Sequence, residues 1–284
     1  MQVSSRMPQI KKLLFPVDFS ASCEGAARYV EFFAGLFQAE VTLLHVVGMG
    51  EHNLAEEMVP PSRVRLDNFL TGEFKYFTTQ RLCLPGDPAE EILQLARSSN
   101  PDLIMLPTHG MGPFRRLLLG SVTAKVLHDW EGPVWTGLHT ETAPPLEKLH
   151  CRRILCAVDL AERSESVMRY AAWLAGGRIP GELGIVHVTP ALPPSYIGLS
   201  IYDAMLQSMV DHAMQSVETL QTACGAKGRV FVRPGTPSAV VAHVATEFGA
   251  DLLIMGRHGG RFAGFLRQTA YSILRDTVCP VISI

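Results

Sequence analysis

Two loop segments hold residue types that could bind an anion. The first runs Pro107-Thr108-His109-Gly110, then nine residues, then Gly120-Ser121. The second runs Gly256-Arg257-His258-Gly259, then nine residues, then Thr269-Ala270. Glycine lets a backbone approach phosphate oxygens closely and adopt positive φ. A Gly-Ser pair that opens a helix adds free N–H groups and the positive end of the helix dipole, and both favour an anion. The Ser121 hydroxyl adds one more hydrogen bond, and Val122 follows in the same turn.

The two copies depart from this chemistry in different places. Pro107 stands where the second copy has Gly256; it has no N–H and a fixed φ, which is expected to disturb that end of the site. The phosphate end of the first copy, Gly110, Gly120 and Ser121, is complete. The second copy keeps Gly256 and Gly259, but Thr269-Ala270 puts a Cβ where phosphate should approach. Arg115, Arg116, Arg257, Arg261 and Arg267 also fall in these loops. They could neutralise phosphate or be ordinary solvated loop charges.

Two acids and four histidines complete the candidates. Asp18 and Asp159 each follow an apolar run, where an acid can meet a ligand or cap the next turn. His45 and His187 sit mid-run among apolar residues, which fits a buried structural role. His109 and His258 lie in the loops, with no nucleophile paired to them. A phosphate loop of the type GxxxxGK[ST] is absent, as are HxGH and SGGxD elements. Binding is therefore the expected activity rather than catalysis; a slow ATPase is the enzymatic alternative.

Bulk properties narrow the classes further. The chain has 284 residues, 47% of them hydrophobic and 18% charged, with a formal net charge of −2. That balance argues against a nucleic-acid surface or a polybasic membrane anchor. No run of about 20 apolar residues is present, and the N-terminal segment has no apolar signal region. A cytoplasmic location is expected. Cys23, Cys83, Cys151, Cys156, Cys224 and Cys279 show neither CxxC nor zinc spacing, and are expected to be reduced thiols.

The elements that must position these residues occur twice. IKKLLFPVDFS at Ile10–Ser20 matches CRRILCAVDLA at Cys151–Ala161, and Asp18 and Asp159 lie 141 positions apart. VTLLHVV at Val41–Val47 matches LGIVHVT at Leu183–Thr189. LPGDPAEEILQLA at Leu84–Ala96 matches RPGTPSAVVAHVA at Arg233–Ala245. PDLIMLPTHG at Pro101–Gly110 matches ADLLIMGRHG at Ala250–Gly259, and GPVWTGL at Gly132–Leu138 matches CPVISI at Cys279–Ile284. Five segments in one order at nearly constant offset establish an internal duplication. Domains are expected at 1–140 and 150–284, with a linker at 141–149 inside the polar stretch His139–His150.

Within each half, strand-length apolar runs alternate with helix-period segments. Ala26, Val30, Phe33, Ala34 and Phe37 make a helical stripe. Asp87-Pro88-Ala89-Glu90 reads as a helix start, and Thr236-Pro237 repeats it. Such alternation predicts parallel strands with right-handed crossovers. The expectation is α/β: two doubly wound five-stranded parallel-sheet domains, with sites at the carboxyl ends of the strands. The second helix of the first half, near Pro60-Pro61, is expected to be short or irregular beside the amphipathic Tyr202–Ala223 segment. The helix after the second loop is expected to be shortened or re-registered, because Thr269 to Pro280 spans 11 positions against 13 from Gly120 to Pro133.

The THG…RRLLLGS element, with the early Val-Asp and the terminal Pro-Val strand, resembles the universal stress protein family, and the resemblance covers almost the whole chain twice. Nucleotide-binding members of that family carry G-x-x-G, nine residues, then G-[S/T]. The resemblance implies an adenine-nucleotide alpha hydrolase-like fold and a pseudo-two-fold intramolecular dimer, with self-association through the terminal strands. It also implies a stress-response or regulatory module that binds ATP or another adenine nucleotide, with or without Mg. The implied first-half site is Pro16, Val17, Asp18, Val41, Pro107, His109, Gly110, Gly120, Ser121 and Val122. In the second half Asp159, Gly256 and Gly259 correspond, with Leu183 or Gly184 in the place of Val41. No nucleic-acid or membrane partner is implied, and a protein partner is left open. A scaffold that binds no nucleotide is the competing expectation.

Overall fold

The computed structural model describes residues 9–48, 55–108, 119–137, 144–177, 181–191, 199–257 and 263–284. The chain divides into two compact units, Met1–Leu149 and His150–Ile284. Unit 1 runs β1 (Lys12–Pro16), α1 (Ala21–Phe37), β2 (Glu40–Val47), α2 (Ala55–Asn68), β3 (Thr79–Pro85), α3 (Pro88–Ser99), β4 (Leu103–Leu106), α4 (Ser121–Asp129) and β5 (Val134–Thr136). A 3₁₀ turn at Leu146–Lys148 follows. Unit 2 runs β6 (Arg153–Ala157), α5 (Ser164–Ala175), β7 (Glu182–Thr189), α6 (Leu199–Cys224), β8 (Arg229–Pro234), α7 (Pro237–Phe248), β9 (Leu252–Met255), α8 (Ala263–Asp276) and β10 (Val281–Ser283).

Each unit forms a five-stranded parallel sheet, in the order β3-β2-β1-β4-β5 in unit 1 and β8-β7-β6-β9-β10 in unit 2. Leu13 pairs with Val41 on one side and Leu103 on the other, and Ile154 pairs likewise with Leu183 and Leu252. The central strands are sandwiched by helices, so they read as apolar runs and are mostly buried beyond the exposed Lys12 and Arg153 that open β1 and β6. Leu103–Leu106 and Leu252–Met255 are each at most 3% exposed. All five members of the α1 stripe are buried.

Local chemistry sets the element boundaries. Ser20 caps α1 by accepting from the Cys23 N–H. Asp87 caps α3 through the Glu90 N–H at 3.0 Å, with Pro88 in the first turn. The turns entering α3 and α7 need glycine: Gly86 has φ +147° and Gly235 +148°, in a region that side chains rarely enter. Asp102 and Asp251 play one part in both units. Each accepts two backbone N–H groups at the amino end of the first strand, from Lys11 and Lys12 or from Arg152 and Arg153, at 2.7–3.0 Å.

Two helices differ between the units as the sequence foreshadowed. α2 has 14 residues and contains Pro60 and Pro61, whereas α6 has 26. Neither proline can donate into the helical ladder; even so, α2 is helical rather than irregular. The other expectation needs correction. α8 is longer than α4, with 14 residues against 9; it is re-registered by extension, not shortened. No helix among the described residues is long and apolar enough to cross a membrane.

Candidate functional site

In each sheet the strand order reverses between the first and fourth strands, β1 and β4 in unit 1 and β6 and β9 in unit 2. The crevice outside the carboxyl ends of those strands is where such sheets receive ligands. Asp18 and Pro107-Thr108 meet there in unit 1, and Asp159 and Gly256-Arg257 in unit 2.

The aspartates sit in matching turns. Asp18 Oδ1 accepts from the Ser20 N–H at 3.0 Å and from the Cys23 thiol at 3.0 Å. Asp159 Oδ1 accepts from the Ala161 N–H at 3.0 Å and the Ser164 hydroxyl at 2.9 Å. Cys23 and Ser164 are themselves 141 positions apart, so thiol and hydroxyl make one duplicated bond. Phe19 and Leu160, which follow the acids, have φ +61° and +60°. A left-handed non-glycine residue costs about 1–2 kcal/mol, so the turn is strained identically in both copies. Sequence reasoning missed that strain; the only signal for it was the repeated Val-Asp followed by a bulky residue.

The histidines hold these turns from the neighbouring strand. His45 Nδ1 lies 2.8 Å from the Val17 carbonyl oxygen, and His187 Nδ1 2.9 Å from that of Val158. The only role open to Nδ1 against a carbonyl is donor, which fixes the tautomer. Both are thus positioning residues, and both are half-buried rather than buried as the sequence suggested. In unit 1 the Phe19 ring packs against His45 at 4.3 Å and Phe69 at 5.1 Å, and Arg65 lies over it at 4.2 Å.

Pro16 ends β1 and Val17 follows it; both are buried, and the Val17 N–H donates to Leu44 O at 2.8 Å. Val41 must be moved out of the site. It is the second residue of β2, 1% exposed, with its N–H on Thr78 O, so it lies at the amino end of the sheet. Leu183 and Gly184 have the same fault in β7. The residues alongside the aspartates are His45 in β2 and Val186–Val188 in β7.

α4 begins at the crevice. Its N-cap is Gly120, whose N–H donates to Thr108 O at 2.9 Å, and the Thr123 hydroxyl donates to Pro107 O at 3.0 Å. These two bonds tie the helix start to the end of β4. The N–H groups of Ser121, Val122 and Thr123 belong to the first turn, which offers them no intrahelical acceptor. Gly120 has φ −56°, so its value there is the missing Cβ, not a positive φ. Gly256 likewise has no positive φ, and a Cβ on it would meet only Val167 Cγ2 at an ordinary 3.5 Å. Pro107 therefore stands in a place whose counterpart makes no special backbone demand. His109, Gly110, Arg115, Arg116, His258, Gly259 and Arg261 lie outside the described residues, as does the side chain of Arg267.

Unit 2 has no helix start at the matching place. Thr269 and Ala270 are the seventh and eighth residues of α8, so their N–H groups belong to the helical ladder rather than to a first turn. What the crevice does contain is a cavity of 240 Å³. It is walled by valines of β7, α5 and α7 and by Met255, with Asp159, Arg163 and Arg257 as its charged residues. Arg257 is not a solvated loop charge. It is 5% exposed and donates through Nη1 to the Ser283 carbonyl and, at 3.1 Å, to the Ser283 hydroxyl. Burial, then the charge of Arg163, pushes its guanidinium down to about 10; it remains a cation at neutral pH.

Burial raises the thiols above their ordinary value, which disfavours the thiolate form. Burial pushes Cys23 and Cys151 up to about 12 and Cys279 to about 11, and Cys156 higher still. All six cysteines are free. Among the described residues, no group of three His, Cys, Asp or Glu side chains could hold a metal ion.

A fold of this order, duplicated, with a helix starting at one switch point, defines a class of α/β domain. The universal stress protein family model matches residues 9–136 and again 150–284, and the chain belongs to that family. It is 31% identical to universal stress protein MJ0577 of Methanocaldococcus jannaschii over 149 residues, 44% of this chain and 92% of that one. It is 28% identical to universal stress protein A homolog 1 of Coxiella burnetii over 141 residues, 48% of this chain and 97% of the other. The crystal structure of a universal stress protein from Archaeoglobus fulgidus matches 97% of this chain and 96% of its own, with TM-score 0.70 at 23% identity. That last likeness concerns the fold.

Proposed function

We propose that the protein is a regulatory binding module of stress response whose unit 1 holds an adenine nucleotide, with turnover no part of its task. The observation that carries this reading is the start of α4 at the switch point. Gly120 leaves room beside it, three first-turn N–H groups follow, and two hydrogen bonds hold that start against Pro107 and Thr108. Such an end favours a phosphate through both the N–H groups and the dipole. Asp18, half-buried at the neighbouring strand end, is placed for the sugar or base.

A scaffold reading draws on one specific observation. Oδ1 of the aspartate does the same local work in unit 1 and in unit 2, where the helix start is missing. The acid is thus explained by the turn alone, without a ligand.

Titration calorimetry of ATP with Mg²⁺ into nucleotide-free protein separates the two. The nucleotide reading expects one site per chain, lost in Gly120→Glu. That variant keeps its helix, because a carboxylate is favourable at a helix N-terminus. No binding by either leaves the scaffold reading, and equal ATP affinity in wild type and Gly120→Glu would take the nucleotide away from the α4 start. Metal-stimulated hydrolysis that disappears in Ser121→Ala would make the protein a slow ATPase instead.

A further inference from the structure

The unit 2 crevice differs from that of unit 1 by two paired changes. Arg257 occupies the place of Thr108, 149 positions earlier, and Arg163 that of Ser22, 141 positions earlier. Two neutral hydroxyl residues are thus replaced by two guanidiniums, and both line one cavity. Arg163 is half-buried at the start of α5, and Arg257 is buried at the end of β9. They are close enough that the charge of Arg163 lowers the proton affinity of Arg257. Among the described residues of the lining, the one acid, Asp159, is tied by Oδ1 to its own turn, and two cations against that carboxylate leave this wall positive.

Its remaining wall is apolar: Val158, Val167, Val186, Val188, Val241 and Ile273. At 240 Å³ it falls below the ~300–1,000 Å³ usual for ligand sites. α8 lines it with Thr269 and Ala270 from its interior, so the described residues of α8 offer none of the N–H cradle that phosphate needs. A guanidinium instead matches a planar carboxylate, fork to fork.

We propose that unit 2 is a binding site for a small aliphatic monocarboxylic acid, with the carboxylate between Arg163 and Arg257 and the hydrocarbon body against the valine wall. The loss of one anion site and the gain of another are then one event. The helix N-terminus withdrew, and two arginines supply the positive charge in its place. This site does not depend on the nucleotide reading of unit 1.

The test uses the whole chain and hexanoate as the probe, with binding read by calorimetry and by thermal shift, since a ligand of the folded state raises Tm. Hexanoate should bind at one site per chain, and hexan-1-ol, its neutral analogue, at least about tenfold more weakly. Arg163→Gln should weaken hexanoate by about tenfold. Arg163 is chosen because Arg257 also holds Ser283 and its loss could unfold the unit. Ala270→Trp, at a half-buried wall position, should block binding by filling the cavity, while leaving the unliganded circular dichroism spectrum unchanged. Saturating ATP should leave hexanoate affinity as it was. The proposal is overturned by no hexanoate binding, by equal binding of the alcohol, by unchanged affinity in Arg163→Gln or Ala270→Trp, or by displacement with ATP.

Discussion

The two units share a turn and differ in a helix. Asp18 and Asp159 build the same strained loop, held by histidines at 2.8 and 2.9 Å and entered through left-handed Phe19 and Leu160. The helix beside that turn has diverged. α4 starts at Ser121 behind a glycine, whereas α8 starts five residues earlier relative to its end and runs through Thr269-Ala270. The duplicated fold has thus kept the turn that its backbone geometry requires and varied the helix start beside it. The unshared features are where the two units can differ in function.

The sharpest way to break this comparison is to place one charge at both equivalent points. Gly120→Glu should weaken ATP by at least about 2 kcal/mol, roughly 30-fold, because it sets a carboxylate where phosphate would lie. Thr269→Glu should leave ATP affinity unchanged. Calorimetry on both variants decides it; equal losses would mean that the helix start does not distinguish the units. The shared scaffolding makes the opposite prediction, of equal effects. Gly86→Ala and Gly235→Ala should each destabilise by about 1–2 kcal/mol in urea denaturation, since a Cβ is strained at φ +147° and +148°. A tolerated substitution in one unit only would show that the two turns are not equivalent.

Smaller effects sharpen the comparison of the strained residues. Asparagine tolerates the left-handed region better than leucine does. Leu160→Asn should therefore raise stability by up to about 1 kcal/mol. Phe19→Asn should lower it, because that ring packs on His45, Phe69 and Arg65. Denaturation midpoints of the two variants must move in opposite directions for this account to stand.

Much of this was legible in the sequence, and the failures have physical reasons. The duplication, both five-stranded sheets and the cap at Asp87 follow from periodicity and from residues whose local hydrogen bonds are strong, whereas the Ser20 cap was not read. Val41 was misplaced because an apolar strand looks alike at both ends. The rule that sites lie at carboxyl ends, applied to β2, points to His45 instead. The extension of α8 was hidden because a helix start is signalled by what stops it. With no glycine at Thr269, nothing in Phe265-Leu-Arg-Gln-Thr-Ala interrupts helical propensity. Arg257 was open to either reading, phosphate neutraliser or solvated charge, because a loop arginine alone does not tell them apart; only the packing of β10 and the start of α5 around it buries the guanidinium.

The smallest effect concerns the duplicated hydrogen bond to the acid, where Cys23 stands for Ser164. Burial foremost, and then the charge of Asp18, raise the Cys23 thiol from its ordinary value to about 12. Below the unfolded thiol's pKa, about 8.5, the group is neutral in both states and its contribution to stability is fully present. As pH rises from there towards about 12, only the unfolded chain loses the proton, so stability falls. Cys151 and Cys279 act in the same direction. Cys23→Ser removes one of these groups and keeps the donor, since the Ser164 hydroxyl makes the equivalent bond at 2.9 Å. Stability at pH 7 should change by less than about 1.5 kcal/mol, the range of a well-accommodated core swap. The decline between pH 9 and 11 should become shallower than in wild type. An unchanged alkaline slope would mean that the Cys23 thiol ionises in the folded protein as readily as in the unfolded chain, and that the thiol and hydroxyl copies of this bond are not equivalent.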